Sequence, residues 1–94
     1  MRLDWTRDAD SDLESIEEYI GRDNAESAFR TLAEIVRQVE MLAEHPGMGR
    51  PGRVEGTREL VIAGLPYLVA YLHRGDTVTV LRVVHGAMKW PKRF

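Results

Sequence analysis

Apolar positions recur at helical spacing twice and then alternate as in strands three times. Leu3 and Trp5 fall on one side of an extended segment and predict a short strand over Arg2–Trp5. Thr6 follows as an N-cap, and Asp8, Asp10 and Asp12 put negative charge where a helix dipole favours it. Ala9, Leu13, Ile16 and Ile20, with Tyr19 beside them, give one apolar face, so a first helix is expected from about Arg7 to Ile20, ended by Gly21. Asp23 or Asn24 caps a second helix whose apolar positions are Ala25, Ala28, Phe29, Leu32, Ile35, Val36, Val39 and Leu42. Glu26 and Arg30 add an i,i+4 pair, and Pro46 with Gly47 stops the helix after about 20 residues, or roughly 30 Å.

The pattern then changes. Thr57–Ile62, Tyr67–Leu72 and Thr77–Val84 are short and rich in β-branched and aromatic residues, as strands are. His73-Arg74-Gly75-Asp76 joins the last two as a hairpin, and Gly64-Leu65-Pro66 separates the first two. The order β-α-α-β-β-β predicts an α+β fold, with an N-terminal strand and a helical hairpin packed on one face of a mostly antiparallel sheet. The 94 residues make a single domain over 1–94, too short for a second core.

Charge divides the chain in the same place. Residues 1–45 hold five Lys/Arg against twelve Asp/Glu, and residues 46–94 hold eight against three, beneath a net charge of -2. An anionic partner would therefore meet the second half. The absence of cysteine removes disulfides, thiolate zinc sites and cysteine nucleophiles, and fits a reducing compartment. The acidic start has no signal-peptide character and no apolar run approaches the ~20 residues that span a bilayer, so a cytoplasmic protein with no membrane partner is expected.

Gly47, Gly49 and Gly52 spell G-x-G-x-x-G inside HPGMGRPGRVEG. A dinucleotide loop of that form follows a strand and opens a helix, because the phosphate rests on the amides of the helix N-terminus. Here the glycines follow a helix and precede a strand, and Arg53-Val54 stands where a Walker loop needs Lys and Ser/Thr. The stretch reads as a connector, and no cofactor is expected.

His45, His73 and His85 lie too far apart for the paired spacings of metal sites, and Ser11 and Ser27 fall in helices rather than at a nucleophile elbow, so neither a metal nor a hydrolase triad is expected. On Thr77–His85 simple alternation puts Val78, Val80, Arg82 and Val84 on one face and Thr79, Leu81, Val83 and His85 on the other. Arg82 reads either as a functional cation or as a strand residue paired with a carboxylate. His85 reads as a general acid or base near neutral pH or as a strand-end cap. Tyr71 fits the core. Trp90, beside Lys89, Lys92 and Arg93, fits either the core or a partner surface.

The segments PGMGRPGRVEGTRELVI and LPYLVAYLHRGDTVTVLRVVHGAMKWP, with LDWTRDADSDLESIEEYI before them, resemble the toxins of the RelE/ParE superfamily, the toxin halves of bacterial type II toxin–antitoxin modules. The resemblance runs from near the start of the chain to Trp90. It implies a small cytoplasmic protein that arrests growth when free and is neutralised in a hetero-oligomer with a cognate antitoxin. RelE-like members cleave mRNA on the ribosome, whereas ParE-like members act on DNA gyrase. In the nucleases an arginine commonly precedes the L-V-Y of the middle strand, where this chain has Tyr67, and a reactive arginine or tyrosine follows the last strand, where it has Gly86.

Those departures and the net charge of -2 favour a ParE-like gyrase poison that catalyses no reaction of its own. The expected partner contacts are Arg50, Arg53, Arg58, Arg82 and His85, with Trp90, Lys92 and Arg93 beside them. The alternative is a ribosome-dependent mRNA endonuclease, in which His85 takes the ribose 2′-hydroxyl proton and Arg58 or Arg82 stabilises the phosphate. A third reading is a degenerate toxin that only binds its antitoxin.

Overall fold

In the computed structural model, which describes residues 1–86, the elements follow the expected order with one addition. They are β1 (Arg2–Trp5), α1 (Arg7–Gly21), α2 (Ala25–Glu40), a 3-10 turn (Met41–Ala43), β2 (Arg50–Pro51), β3 (Arg58–Val61), β4 (Tyr67–Arg74) and β5 (Thr77–His85). Both helix starts are set by side-chain caps. The Thr6 hydroxyl accepts the Ala9 amide at 3.1 Å, and Asn24 Oδ1 accepts the Ser27 amide at 3.0 Å.

The five strands form one sheet in the order β1-β5-β4-β3-β2, with β1 parallel to β5 and the other pairs antiparallel. The parallel pair is possible because the helical hairpin provides the crossover between β1 and the rest of the sheet. Ala9 of α1 and Ile35 and Val39 of α2 pack with Leu42 against Leu60, Val69, Tyr71, Val78, Val80 and Val83. This is the α+β arrangement expected, with both helices on one face of the sheet. Among the described residues no helix is long and apolar enough to cross a membrane.

Four details differ from the expectation. The second helix is shorter, because α2 gives way to the 3-10 turn at Met41, where tighter winding carries Leu42 into the core. β2 was not expected; its two residues pair with Arg58 and Glu59, and Pro51 is tolerated there because β2 is an edge strand. The β4–β5 turn is tighter, leaving only Gly75 and Asp76 between strands, with Gly75 at φ +58°.

The fourth difference concerns β5, where alternation is broken. Ala70 pairs with Arg82 but Tyr71 pairs with Val80, so Leu81 is an extra residue in a β-bulge. Thr6 serves the bulge, donating its amide to Val80 O at 3.0 Å and its hydroxyl to Leu81 O at 2.9 Å. Val78 and Val80 therefore share the core face with Val83 and His85, while Arg82 and Val84 move to the other.

Candidate functional site

The glycine-rich connector is tied to the sheet at three points. Tyr71, fully buried on β4, accepts the Gly49 amide at 2.9 Å and donates to Pro46 O at 2.7 Å. Arg58 donates to Gly49 O and, at 3.1 Å, to Gly47 O; its buried Nε has no hydrogen-bond partner among the described residues. Glu59, 3% exposed, accepts from Arg50 Nη2 at 3.1 Å, the Arg53 amide at 2.9 Å and Arg53 Nε at 3.1 Å. Burial pushes the Glu59 carboxyl pKa up, but the Arg53 amide and the two guanidiniums outweigh it and leave the pKa below the ordinary value.

The connector's amides are spent on the chain itself, since Gly49 N goes to Tyr71, Gly52 N to Thr57 O and Arg53 N to Glu59. A phosphate cradle needs such amides turned outward. The glycines serve close approach instead: a Cβ on Gly49 would lie 2.6 Å from Tyr71 Oη and 2.7 Å from Glu59 O, and one on Gly52 would lie 2.3 Å from Thr57 Oγ1.

Arg82 meets a carboxylate. Its Nε and Nη2 donate to Asp12 of α1 at 2.8 and 3.0 Å, and Asp12 also accepts the Val83 amide at 2.8 Å. β1 ends opposite Val80, so Asp12 replaces a neighbouring strand at the β5 edge. The bond to Asp12 holds the Arg82 pKa above its ordinary value.

Arg58, Arg82 and His85 do not form one patch. Arg58 pairs with Tyr71 and His85 with Tyr67, on the side of the sheet that carries the core. Arg82 lies in a cross-strand row with Ala70, Glu59 and Arg50 on the opposite side. Arg82 and His85 point to opposite faces, as alternation predicts, and the bulge at Leu81 decides that His85 rather than Arg82 is on the core side. Trp90, Lys92 and Arg93 lie outside the described residues.

His85 lines a groove of about 640 Å³ between α1 and the ends of β4 and β5, with Asp12, Ser15, Ile16, Tyr19, Pro66, Tyr67 and Val83. The His85 and Tyr67 rings meet edge to face, with centroids 5.7 Å apart. Burial, and then the neighbouring Tyr19, raise the Tyr67 pKa. Sequence reasoning placed His85 but missed the rest of the groove. Its signal was a stripe on α1, since Asp12, Ser15, Ile16 and Tyr19 fall at helical spacing. Gln38 was missed too: it donates to Ala63 O at 3.0 Å and accepts the Ala63 amide at 2.8 Å, joining α2 to the β3–β4 loop.

Known proteins share this architecture and sequence. The protein Y4kP of Sinorhizobium fredii (strain NBRC 101917 / NGR234) is 43% identical over 91 residues, 97% of this chain and 94% of that protein. Toxin RelE2 of Caulobacter vibrioides (strain ATCC 19089 / CIP 103742 / CB 15) is 34% identical over 83 residues, 88% of this chain and 92% of that toxin. A solved structure of the chromosomal ParDE TA system from P. aeruginosa superposes with a TM-score of 0.81 at 33% identity, covering 90% of this chain and 95% of that one. Residues 3–90 match the profile of the ParE toxin of type II toxin-antitoxin system, parDE. The chain therefore belongs to the ParE toxin family, within the RelE/ParE superfamily of type II toxin–antitoxin toxins.

Proposed function

We propose that this toxin is held inactive by a cognate antitoxin and, when free, poisons DNA gyrase without catalysing a reaction of its own. One observation carries the reading: the cations that phosphate cleavage would recruit are engaged within the fold and lie on different faces. Arg82 is bidentate on Asp12 and Arg58 is bonded to Gly47 O and Gly49 O. A nuclease site aims such groups at the charge that develops on the phosphate. Tyr67, where nuclease relatives commonly carry an arginine, is buried against His85. The net charge of -2 also suits a protein target better than the phosphate-dense ribosome. The antitoxin partner is supported by the 33% identical chain of a ParDE system.

One feature favours the endonuclease alternative. His85 is exposed at the groove rim beside the Tyr67 ring, where an imidazole can exchange protons with a ligand. The test is to add purified toxin to gyrase with supercoiled plasmid and, in parallel, to translating ribosomes with a reporter mRNA. Trapped cleaved-DNA complexes with intact mRNA are expected. Codon-periodic mRNA cuts with undisturbed supercoiling favour the nuclease, and no effect in either arm favours a toxin retained only for antitoxin binding.

A further inference from the structure

Two guanidiniums share one buried carboxylate on the face of the sheet turned away from the helices. Arg50 Nη2 donates to Glu59 Oε1 at 3.1 Å, while Arg53 donates to Oε2 from Nε at 3.1 Å and from its amide at 2.9 Å. The carboxylate is 3% exposed, yet the two arginine side chains stay open to solvent, at 54% and 44%. Among the described residues the Arg50 guanidinium bonds only Glu59, through Nε and Nη2, so its Nη1 edge is left for an acceptor from outside. Register fixes this fork, because Arg50 stands opposite Glu59 and the Arg53 amide is tied to the same carboxylate. Much of the side-chain freedom that an arginine gives up on gripping an anion is thus already lost in folding.

The charge left over on this face is positive. Arg2 and Arg74 both stand beside Thr77, in a row that alternates away from Val78 and the core. Asp4 neutralises Arg2 and Asp12 neutralises Arg82. That leaves Arg74, which has no ion pair among the described residues, and the second of the two guanidiniums on Glu59. Glu55 is the connector's only carboxylate and is exposed, so its charge opposes an incoming anion. Asp8, Asp10, Glu14, Glu17 and Glu18 belong to α1, in the layer on the opposite side of the sheet. A phosphodiester suits the fork, since its charged oxygens match the planar N–H edges that a guanidinium presents.

We propose that the fork of Arg50 and Arg53 grips the phosphate backbone of the duplex that gyrase holds, so that the toxin touches DNA as well as protein. The proposal rests on the gyrase reading for the identity of the nucleic acid, whereas the contact itself follows from the fork. Duplex DNA is favoured over an acidic protein segment because it brings one charge per about 1.7 Å of axis to any toxin bound beside it. Two neutralised phosphates bind weakly alone, so this contact adds to the hold on gyrase and does not replace it, in keeping with the net charge of -2.

The test uses the full chain and a fluorescein-labelled duplex of about 20 base pairs, without gyrase. In about 20 mM salt, anisotropy is expected to show binding at about 0.1 mM toxin, with log K falling against log salt at a slope of about -1.8 for two phosphates. Arg50→Gln and Arg53→Gln should each weaken binding about 3- to 10-fold and reduce the slope to about -0.9. Arg50→Lys, which keeps the charge, should keep most of the slope, and Glu55→Gln should tighten binding. Each glutamine variant leaves one guanidinium on Glu59, and melting temperatures check that the fold is kept. With gyrase and plasmid the glutamine variants should release less linear DNA, while capture of gyrase in the absence of DNA is unchanged. The assignment is overturned by no duplex binding at about 1 mM toxin, or by a slope unchanged in both glutamine variants. Hexaglutamate that displaces the duplex at equal concentration would give the fork to an acidic protein segment instead. Absence of linear plasmid with the unaltered toxin contradicts the gyrase reading alone, because duplex binding is measured separately.

Discussion

The hydroxyl of Tyr71 accepts the Gly49 amide at 2.9 Å, and a Cβ on Gly49 would stand 2.6 Å from that same oxygen. One buried phenol thus holds the start of the connector and excludes any side chain from its second glycine. Gly49→Ala is expected to destabilise the fold by about 2–3 kcal/mol, because the clash also involves Glu59 O at 2.7 Å and no rotamer relieves it. Tyr71→Phe leaves the Gly49 amide and Pro46 O without a partner and should cost about 1–3 kcal/mol. Denaturant midpoints of the two variants measure both.

Glu59 makes stability depend on acid. Its folded pKa lies below the ordinary 4.5, so its contribution is complete above the unfolded carboxylate pKa and is lost as pH falls through the lower folded value. Glu59→Gln should lose about 1–3 kcal/mol at neutral pH and converge with the wild type in strong acid, where both side chains are neutral. Urea unfolding at a series of pH values gives the two curves.

Asp12 joins α1 to the exposed β5 edge through both Arg82 and the Val83 amide. Asp12→Ala, which removes both contacts, should destabilise by about 1–3 kcal/mol, and Arg82→Ala by less, since Asp12 still accepts from Val83. Hydrogen exchange at the Val83 amide should rise in the first variant and far less in the second.

Gln38 bonds Ala63 in both directions from a buried position on α2. Gln38→Leu preserves volume but hands the exposed Ala63 N and O to water, and is expected to cost about 0.5–1.5 kcal/mol in thermal or denaturant unfolding.

Much of the fold was legible because its signals are local. Thr6 and Asn24 declare their caps within three residues, and the spacing from Ala28 to Leu42 marks the buried side of α2. The bulge at Leu81 was not legible, because it depends on how β4 meets β5 and on Thr6, 75 residues away. It mattered most for the site, since that single extra residue turns Val83 and His85 to the face of Val78 and Val80 and turns Arg82 away from it. β2 was hidden for a similar reason: Arg50-Pro51 has no strand propensity and is held by the register with Glu59. The groove needed α1 laid against β5 before Tyr19, Tyr67 and His85 could be seen as neighbours. The connector's role as a non-phosphate turn was readable from the order of elements, while its dependence on Tyr71 required the folded chain.

The central claim is that this toxin acts by holding gyrase on cleaved DNA. Its most direct test is the amount of linear plasmid released by detergent and protease after gyrase, supercoiled plasmid and purified toxin are incubated together. The account predicts linear DNA that rises with toxin, disappears when gyrase is omitted, and persists in His85→Ala at a modestly higher toxin concentration. Supercoiling unaffected by toxin, with reporter mRNA cut on ribosomes and that cutting abolished by His85→Ala, would contradict it.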